Sequence, residues 1–359
     1  MIQFFTKRYA ALALLLLAFN SLAEQAESQA LDISPYIVNG SRAETSDYPS
    51  FVSLFLDAEE YGLNYMSTPY CGGTLLSDEY VLTAAHCIYG SDDAQLLTMV
   101  APNLQYESDY PNAEKQRVVA IYHPSDYNDD IYRLVPNDIA ILQLANPLSI
   151  GSPIQIPTDE SYRSADSTFT AVGHGNTEYG YDAFDVLQKV NLTWVDNLVC
   201  AGDFTDGYYL TDKQICFTGD YSEATELLAG TCQGDSGGPI YWDNNGTQVQ
   251  VGITSFGPVP CGDKDRAVTS VFTEIADYSD WIQRVLNGQE DPTYISTDEL
   301  RKSYLKSLGY RIEEEDTGEP KTDNSQPDGS DSGSGGGSLH WGLLILLGGL
   351  AWKRRWHLK

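Results

Sequence analysis

The stretch Gly234-Asp235-Ser236-Gly237-Gly238-Pro239 decides how this 359-residue chain is read. One serine sits among glycines, beside an aspartate. A serine hydroxyl is a weak nucleophile at neutral pH and needs a neighbouring base. Glycines around it leave backbone N–H groups bare, so a developing oxyanion can approach them. Two further stretches supply the missing partners. Thr83-Ala84-Ala85-His86-Cys87 follows an apolar strand and offers an imidazole, whose ordinary pKa lies near neutral pH. Asn137-Asp138-Ile139-Ala140 leads into another strand and offers a carboxylate to fix that imidazole's tautomer. Ser236, His86 and Asp138 are therefore the candidate catalytic residues, although spacing alone does not bring them together. The N–H groups of Gly234 and Ser236 are the candidate oxyanion hole.

Taken in that order, TAAHC, NDIA and GDSGGP resemble the chymotrypsin-like serine endopeptidases. The resemblance covers residues 37–288. It implies an all-β fold of two six-stranded antiparallel β-barrels, with the active site in the cleft between them and a helix at the C-terminal end. It also implies that the chain is made as an inactive precursor. Cleavage at Tyr36-Ile37 would free an Ile37-Val38 terminus, whose ammonium pairs with Asp235 and orders the site. A tyrosine at Tyr36, where the family carries Arg or Lys, points away from a trypsin-like activator and towards self-activation or a protease of like preference.

Periodicity supports the same class independently. Short apolar runs bounded by Gly, Pro, Asn and Asp recur at Phe51 to Leu56, Val118 to Ile121, Ile139 to Leu142, Val249 to Ile253 and Val268 to Phe272, a pattern of sandwiches and barrels. A helix is expected over Tyr278 to Leu286, ended by Gly288.

The pocket for the residue before the scissile bond follows from the resemblance. Its base falls at Gly230, where trypsin-like members carry Asp, and its walls at Gly257 and Ser270. No acid is present, so a buried Lys or Arg side chain would lack a counter-charge. Large apolar side chains, aromatic ones first, are expected. Ser255-Phe256-Gly257 resembles the segment that pairs with substrate as a short strand. An elastase-like preference is the alternative. An inactive homologue used as a surface-binding module is a further one, against which the complete set of Ser236, His86 and Asp138 argues. His174 and His123 read as structural.

The six cysteines fit an exported chain. Spacing leaves their pairing open; the resemblance implies Cys71–Cys87, Cys200–Cys216 and Cys232–Cys261. Export is expected from Lys7-Arg8, the apolar run Ala10 to Phe19 and the small residues Ser21 and Ala23. Residues 1–23 then form a signal peptide, and 24–36 a propeptide. A net charge of −30 excludes nucleic-acid binding. No cofactor and no metal is required. The acidic stretch Ser91 to Asp109 falls near a loop that binds calcium in some members. Asp92, Asp93, Glu107 and Asp109 are candidate ligands, and a solvated acidic face is the plainer reading.

Residues 289–338 read as an acidic segment, with a short helix capped by Ser296, running into a Gly/Ser/Asp linker. Residues 339–359 form an apolar tail with a basic end, too short for a comfortable membrane span. With Gly348-Gly349 it resembles the glycine-glycine sorting tails of Gram-negative bacteria. That likeness implies a precursor tail in the inner membrane, processing by an intramembrane rhomboid-type protease, and an extracellular or surface-attached product. The partners expected are protein and peptide substrates, acted on by a monomer.

Overall fold

The structure is a computed structural model, and it describes residues 37–312 apart from 165 and 182–184. The signal, propeptide, linker and tail readings lie outside the described residues. Among these residues no helix is long and apolar enough to cross a membrane.

The chain begins with a two-residue strand, β1 (Ser41–Arg42), and then builds one barrel from β2 (Phe51–Leu56), β3 (Cys71–Leu75), β4 (Tyr80–Thr83), β5 (Thr98–Pro102), β6 (Gln116–Tyr122) and β7 (Ala140–Leu144). Antiparallel pairing runs β2–β3–β4–β7–β6–β5 and returns to β2, so the ring closes with six strands. Closure removes free edges, which an open sheet would expose. The second barrel uses β8 (Phe169–Gly173), β9 (Gln188–Val195) and β10 (Gln214–Thr218). A small hairpin, β11 (Tyr221–Ser222) and β12 (Leu227–Leu228), follows, and then β13 (Pro239–Asn244), β14 (Thr247–Phe256) and β15 (Ser270–Glu274). Its ring runs β8–β9–β10–β15–β14–β13 and back to β8, and β1 adds to its outside on β9.

Each barrel has its own apolar filling. Val52, Leu54, Val81, Leu82, Ile121, Ile141 and Leu142 pack inside the first. Phe169, Leu192, Phe217, Ile240 and Phe272 fill the second. Along β9 buried and exposed residues alternate, as expected of a strand with one wet face. Three disulfides, Cys71–Cys87, Cys200–Cys216 and Cys232–Cys261, match the implied pairing. By chain entropy each stabilises the fold by roughly 3 kcal/mol.

Among the described residues the α-helices are α1 (Asp92–Leu97), α2 (Asn197–Gly202), α3 (Ser279–Leu286) and α4 (Asp298–Ser307). Helix α3 is the expected closing helix, and its Ile282 and Val285 pack into the first barrel's core. The fold then runs on past Gly288. Strand β16 (Tyr294–Ile295) pairs with β6. Helix α4 docks on α1, with Leu305 buried beside Leu96 and Leu97. Arg301, only 5% exposed, donates to the carbonyls of Leu96, Val118 and Ser296. The N-cap of α4 is Thr297, whose hydroxyl accepts from Leu300 N. Ser296, the expected cap, is instead held beside β6, its N–H donating to the Val119 carbonyl.

Candidate active site

His86 lies in a 3-10 turn, Ala85–Cys87, directly after β4. The Cys71–Cys87 disulfide ties that turn to the start of β3. Thr83 Oγ1 also donates to the Gly72 carbonyl at 2.8 Å. Asp138 sits just before β7 and is fully buried. One carboxylate oxygen accepts the His86 backbone N–H at 2.8 Å, and the other lies 2.7 Å from His86 Nδ1. The second oxygen also accepts from Ser255 Oγ at 2.5 Å. Burial alone would raise the Asp138 carboxyl. The facing His86 charge and the bonds from His86 and Ser255 outweigh it, holding the carboxyl below its ordinary range.

Ser236 comes from the loop before β13, half-exposed like His86. That loop is locked against the first barrel: Gly72 N–H donates to the Ser236 carbonyl at 2.8 Å. A Cβ on Gly237 would lie 2.2 Å from Thr83 Oγ1 and 3.2 Å from Ala84 N, so only glycine lets the loop rest beside the His86 turn. The structure brings the loop and turn together, although among the described residues no hydrogen bond joins Ser236 Oγ to His86. In ligand-free sites such bonds are often long.

The backbone N–H groups from 234 to 238 divide cleanly. Asp235 donates to the Cys232 carbonyl, Gly237 to Thr254 and Gly238 to Asp235. Among the described residues, those of Gly234 and Ser236 have no acceptor. Gly234 has φ +101°, which a side chain would strain, and a Cβ there would lie 2.9 Å from Gly175 Cα.

Residues 37–282 match the Trypsin family. The chain belongs to that family. It is similar to mouse Kallikrein-1, 33% identical over 76% of this chain and 97% of the relative. Among solved structures it resembles mouse-brain neuropsin, with TM-score 0.56 and 24% identity over 69% of this chain and 98% of that one. It also resembles the secreted serine protease VesC of Vibrio cholerae, with TM-score 0.54 and 25% identity over 68% of this chain and 48% of that one. This trypsin-family chain is a serine endopeptidase.

Two residues expected to take part in activation, Ile37 and Asp235, lie by the second barrel. Asp235 is buried, its carboxylate accepting from Gly175 N and Cys232 N, each at 2.9 Å. Ile37 is fully buried in that barrel's core, and Val38 bridges to Gly230. Ile37 also has φ +35°, an unusual conformation for a β-branched residue. Tyr36 is outside the described residues.

Of the expected pocket residues, Gly230 and Gly257 both pack closely against Thr269. A Cβ on Gly230 would meet Thr269 and Ser270, and one on Gly257 would meet the Thr269 carbonyl at 2.7 Å. Ser270 is buried, and its Oγ accepts from Thr231 N and Thr231 Oγ1. Ser255 has a further contact. It lies at a register shift between Thr254 and Phe256, and its hydroxyl donates to Asp138. Phe256 and Gly257 line a cavity of about 240 Å³ with the apolar Phe204 and Val259 and the charged Asp203, Asp206 and Arg266.

The acidic residues considered for calcium are not gathered. Asp92 and Asp93 sit on α1, where Asp93 accepts from Tyr304 OH. Glu107 and Asp109 lie on a separate 3-10 turn. Among the described residues the one grouping with metal-ligand spacing is Cys71, His86 and Cys87, whose sulfurs form a disulfide. His174 is buried, its Nε2 3.1 Å from the Leu104 carbonyl, and burial pushes its pKa down to about 4. His123 lies 2.9 Å by Nδ1 from the Pro124 carbonyl. Both are spent on packing.

Proposed function

We propose that this trypsin-family enzyme cleaves peptide bonds through Ser236, His86 and Asp138, after large apolar residues. Ser236 Oγ attacks the scissile carbonyl carbon while His86 Nε2 takes its proton. Asp138 holds the His86 Nδ1 proton and stabilises the imidazolium that forms. Negative charge developing on the carbonyl oxygen is met by the N–H groups of Gly234 and Ser236. The C–N bond then breaks, His86 returns its proton to the leaving amine, and Ser236 carries the acyl group. A water, deprotonated by His86, releases the acid and restores Ser236.

The observation that carries this reading is the pair of unspent N–H groups at Gly234 and Ser236, beside an imidazole bonded to a buried carboxylate. Preference for apolar residues rests on Gly230, Gly257 and Ser270, none of which carries a charge to pair with a substrate cation. Ser255, Phe256 and Gly257 supply the backbone edge for the substrate strand.

The enzyme is made as a zymogen cut at Tyr36-Ile37. The new ammonium of Ile37 pairs with Asp235, and the strained Ile37 backbone of the uncut chain relaxes. Because Tyr36 suits the neutral pocket, the enzyme activates itself. It is exported, as VesC is described to be. A sorting tail at 339–359, cut by a rhomboid-type protease, attaches or releases a Gram-negative bacterium's enzyme. The chain works as a monomer on protein and peptide substrates, with no cofactor.

Peptides differing only in Tyr, Phe, Arg or Val before the scissile bond test the preference. Fast cleavage after Tyr and Phe is expected; cleavage after Arg with none after Tyr contradicts it. For activation, purified Ser236→Ala precursor should stay uncut at Tyr36-Ile37 where wild type matures. Equal cutting of both rules out self-activation.

A further inference from the structure

His174 takes no part in the chemistry, yet its ring joins the two barrels behind the candidate oxyanion hole. It lies between the end of β8 and Gly175, and its side chain is 1% exposed. Nε2 is 3.1 Å from the Leu104 carbonyl, on the loop that follows β5. A carbonyl only accepts, so the ring proton sits on Nε2. Nδ1 has no hydrogen-bond partner among the described residues and faces the buried Glu107, 3.7 Å from Oε1. Burial pushes the His174 pKa down to about 4, so at neutral pH the ring carries that one proton.

The loop it reaches is tied to the second barrel along its length. Glu107 N donates to the Asp185 carbonyl at 2.8 Å, Leu187 N donates to the Gln105 carbonyl at 2.9 Å, and Tyr106 bridges to Val186. The Gln105 side chain donates to the Ala43 carbonyl and accepts from Thr45 N. A hydrogen bond from His174 therefore ends on a support that is itself held at several points.

The contacts of His174 and Gly175 carry that support into the site. Gly175 N donates to Asp235, and a Cβ on Gly173 or Gly175 would strike the Asp235 carboxylate. A Cβ on Gly234 would lie 2.9 Å from Gly175 Cα and 3.4 Å from the His174 carbonyl oxygen. The Gly234 peptide thus rests on the His174-Gly175 backbone. The His174 ring also packs beside Phe51, with centroids 6.0 Å apart. Phe51 in turn backs Gly72, where a Cβ would lie 3.1 Å from its ring, and Gly72 N–H holds the Ser236 carbonyl. Both candidate oxyanion donors are therefore reached from His174 through packed neighbours.

We propose that His174 is a positioning residue for the oxyanion hole: its Nε2–H bond to the Leu104 carbonyl holds Gly175 against Gly234 and Asp235, so the first barrel braces the hole. The inference rests on the assignment of Gly234 and Ser236 above and adds the residue that sets their position. Losing the bond costs transition-state stabilisation, because only the developing oxyanion depends on exact donor placement.

The test uses matured enzyme, its active sites counted by fluorophosphonate titration, with one peptide substrate and the aldehyde of the same peptide as inhibitor. Ser236 Oγ adds to the aldehyde carbon, its proton passes to His86, and the new oxyanion lies in the hole. His174→Phe keeps a ring and removes the donor. Its kcat per active site and its aldehyde affinity should each fall about tenfold, with KM within about twofold of wild type. His174→Gln restores an N–H near the place of Nε2 and should bring both back to within about threefold. Unchanged kcat and aldehyde affinity in His174→Phe, whatever happens to Tm, overturn the proposal, as does a raised KM with kcat held. Gly234→Ala run in parallel separates the two readings. If it weakens the aldehyde and His174→Phe does not, the brace falls alone; if neither does, the oxyanion assignment falls with it. If His174→Phe does not fold, nitrogen NMR of the wild-type enzyme decides. The His174 Nε2–H signal should be present and should shift when the aldehyde closes on Ser236; an unprotonated Nε2, or a signal indifferent to the aldehyde, overturns the proposal.

Discussion

The N-terminal barrel brings His86 and Asp138 to the cleft as side chains, whereas the C-terminal barrel brings mostly backbone. In the first barrel, chemistry depends on atoms being present: Nδ1 at 2.7 Å from a carboxylate that is itself fixed by Ser255. In the second it depends equally on atoms being absent. Gly234 offers a bare N–H at φ +101°, and Gly230 and Gly257 pack so closely on Thr269 that any Cβ would collide with it. Two barrels of the same closure therefore fail in different ways. Truncating His86 or Asp138 should cripple one, whereas in the other, Ser236 aside, adding a methyl should do the damage.

The largest effect is expected on the side-chain half. His86→Ala should lower kcat by about 10⁶, because the residues act as a unit. A loss below about a hundredfold would mean that another base serves Ser236. Next comes the backbone half. Gly234→Ala should lower kcat by about 10²–10³ with KM little moved, as an oxyanion donor is displaced. If KM rose instead and kcat held, Gly234 would belong to ground-state binding.

A smaller effect joins the halves. Ser255 lies in the C-terminal barrel but donates to Asp138 of the other. Ser255→Ala should lower kcat about tenfold and stability by about 2 kcal/mol at neutral pH. The pH dependence has a definite sign. Asp138's folded pKa is depressed, so its stabilisation is present above the unfolded carboxylate value of about 3.9 and lost as pH falls through the folded value. Wild type and variant should converge in acid denaturation below that folded pKa. A constant gap down to the lowest pH would detach Ser255 from Asp138's ionisation. The smallest effect on catalysis is expected far from the cleft. Arg301→Ala should leave kcat/KM unchanged while lowering Tm by roughly 5 °C, through about 2 kcal/mol of lost bonds to buried carbonyls.

The same contrast explains what was legible beforehand. His86, Asp138 and Ser236 announce themselves by residue type and flanking motif, and with them come the two-barrel fold and the cysteine pairing. Gly234 was legible because a glycine beside a nucleophile has few other uses. Ser255 was read by its segment alone, and neither the register shift beside it nor its bond to Asp138 leaves a mark in the sequence. Residues 289–312 read as an acidic lead into a linker because Arg301 looks solvated until the carbonyls of Leu96 and Val118 are placed around it. The acids of Ser91 to Asp109 looked like a cluster along the chain, and helix α1 and the later 3-10 turn separate them in space.

Labelling matured protein with a fluorophosphonate probe, followed by peptide mass mapping, tests the central claim most directly. One adduct is expected, on the peptide carrying Ser236, and it should vanish in both Ser236→Ala and His86→Ala. An unlabelled matured chain, or an adduct on another serine, would contradict the assignment of Ser236 as the nucleophile.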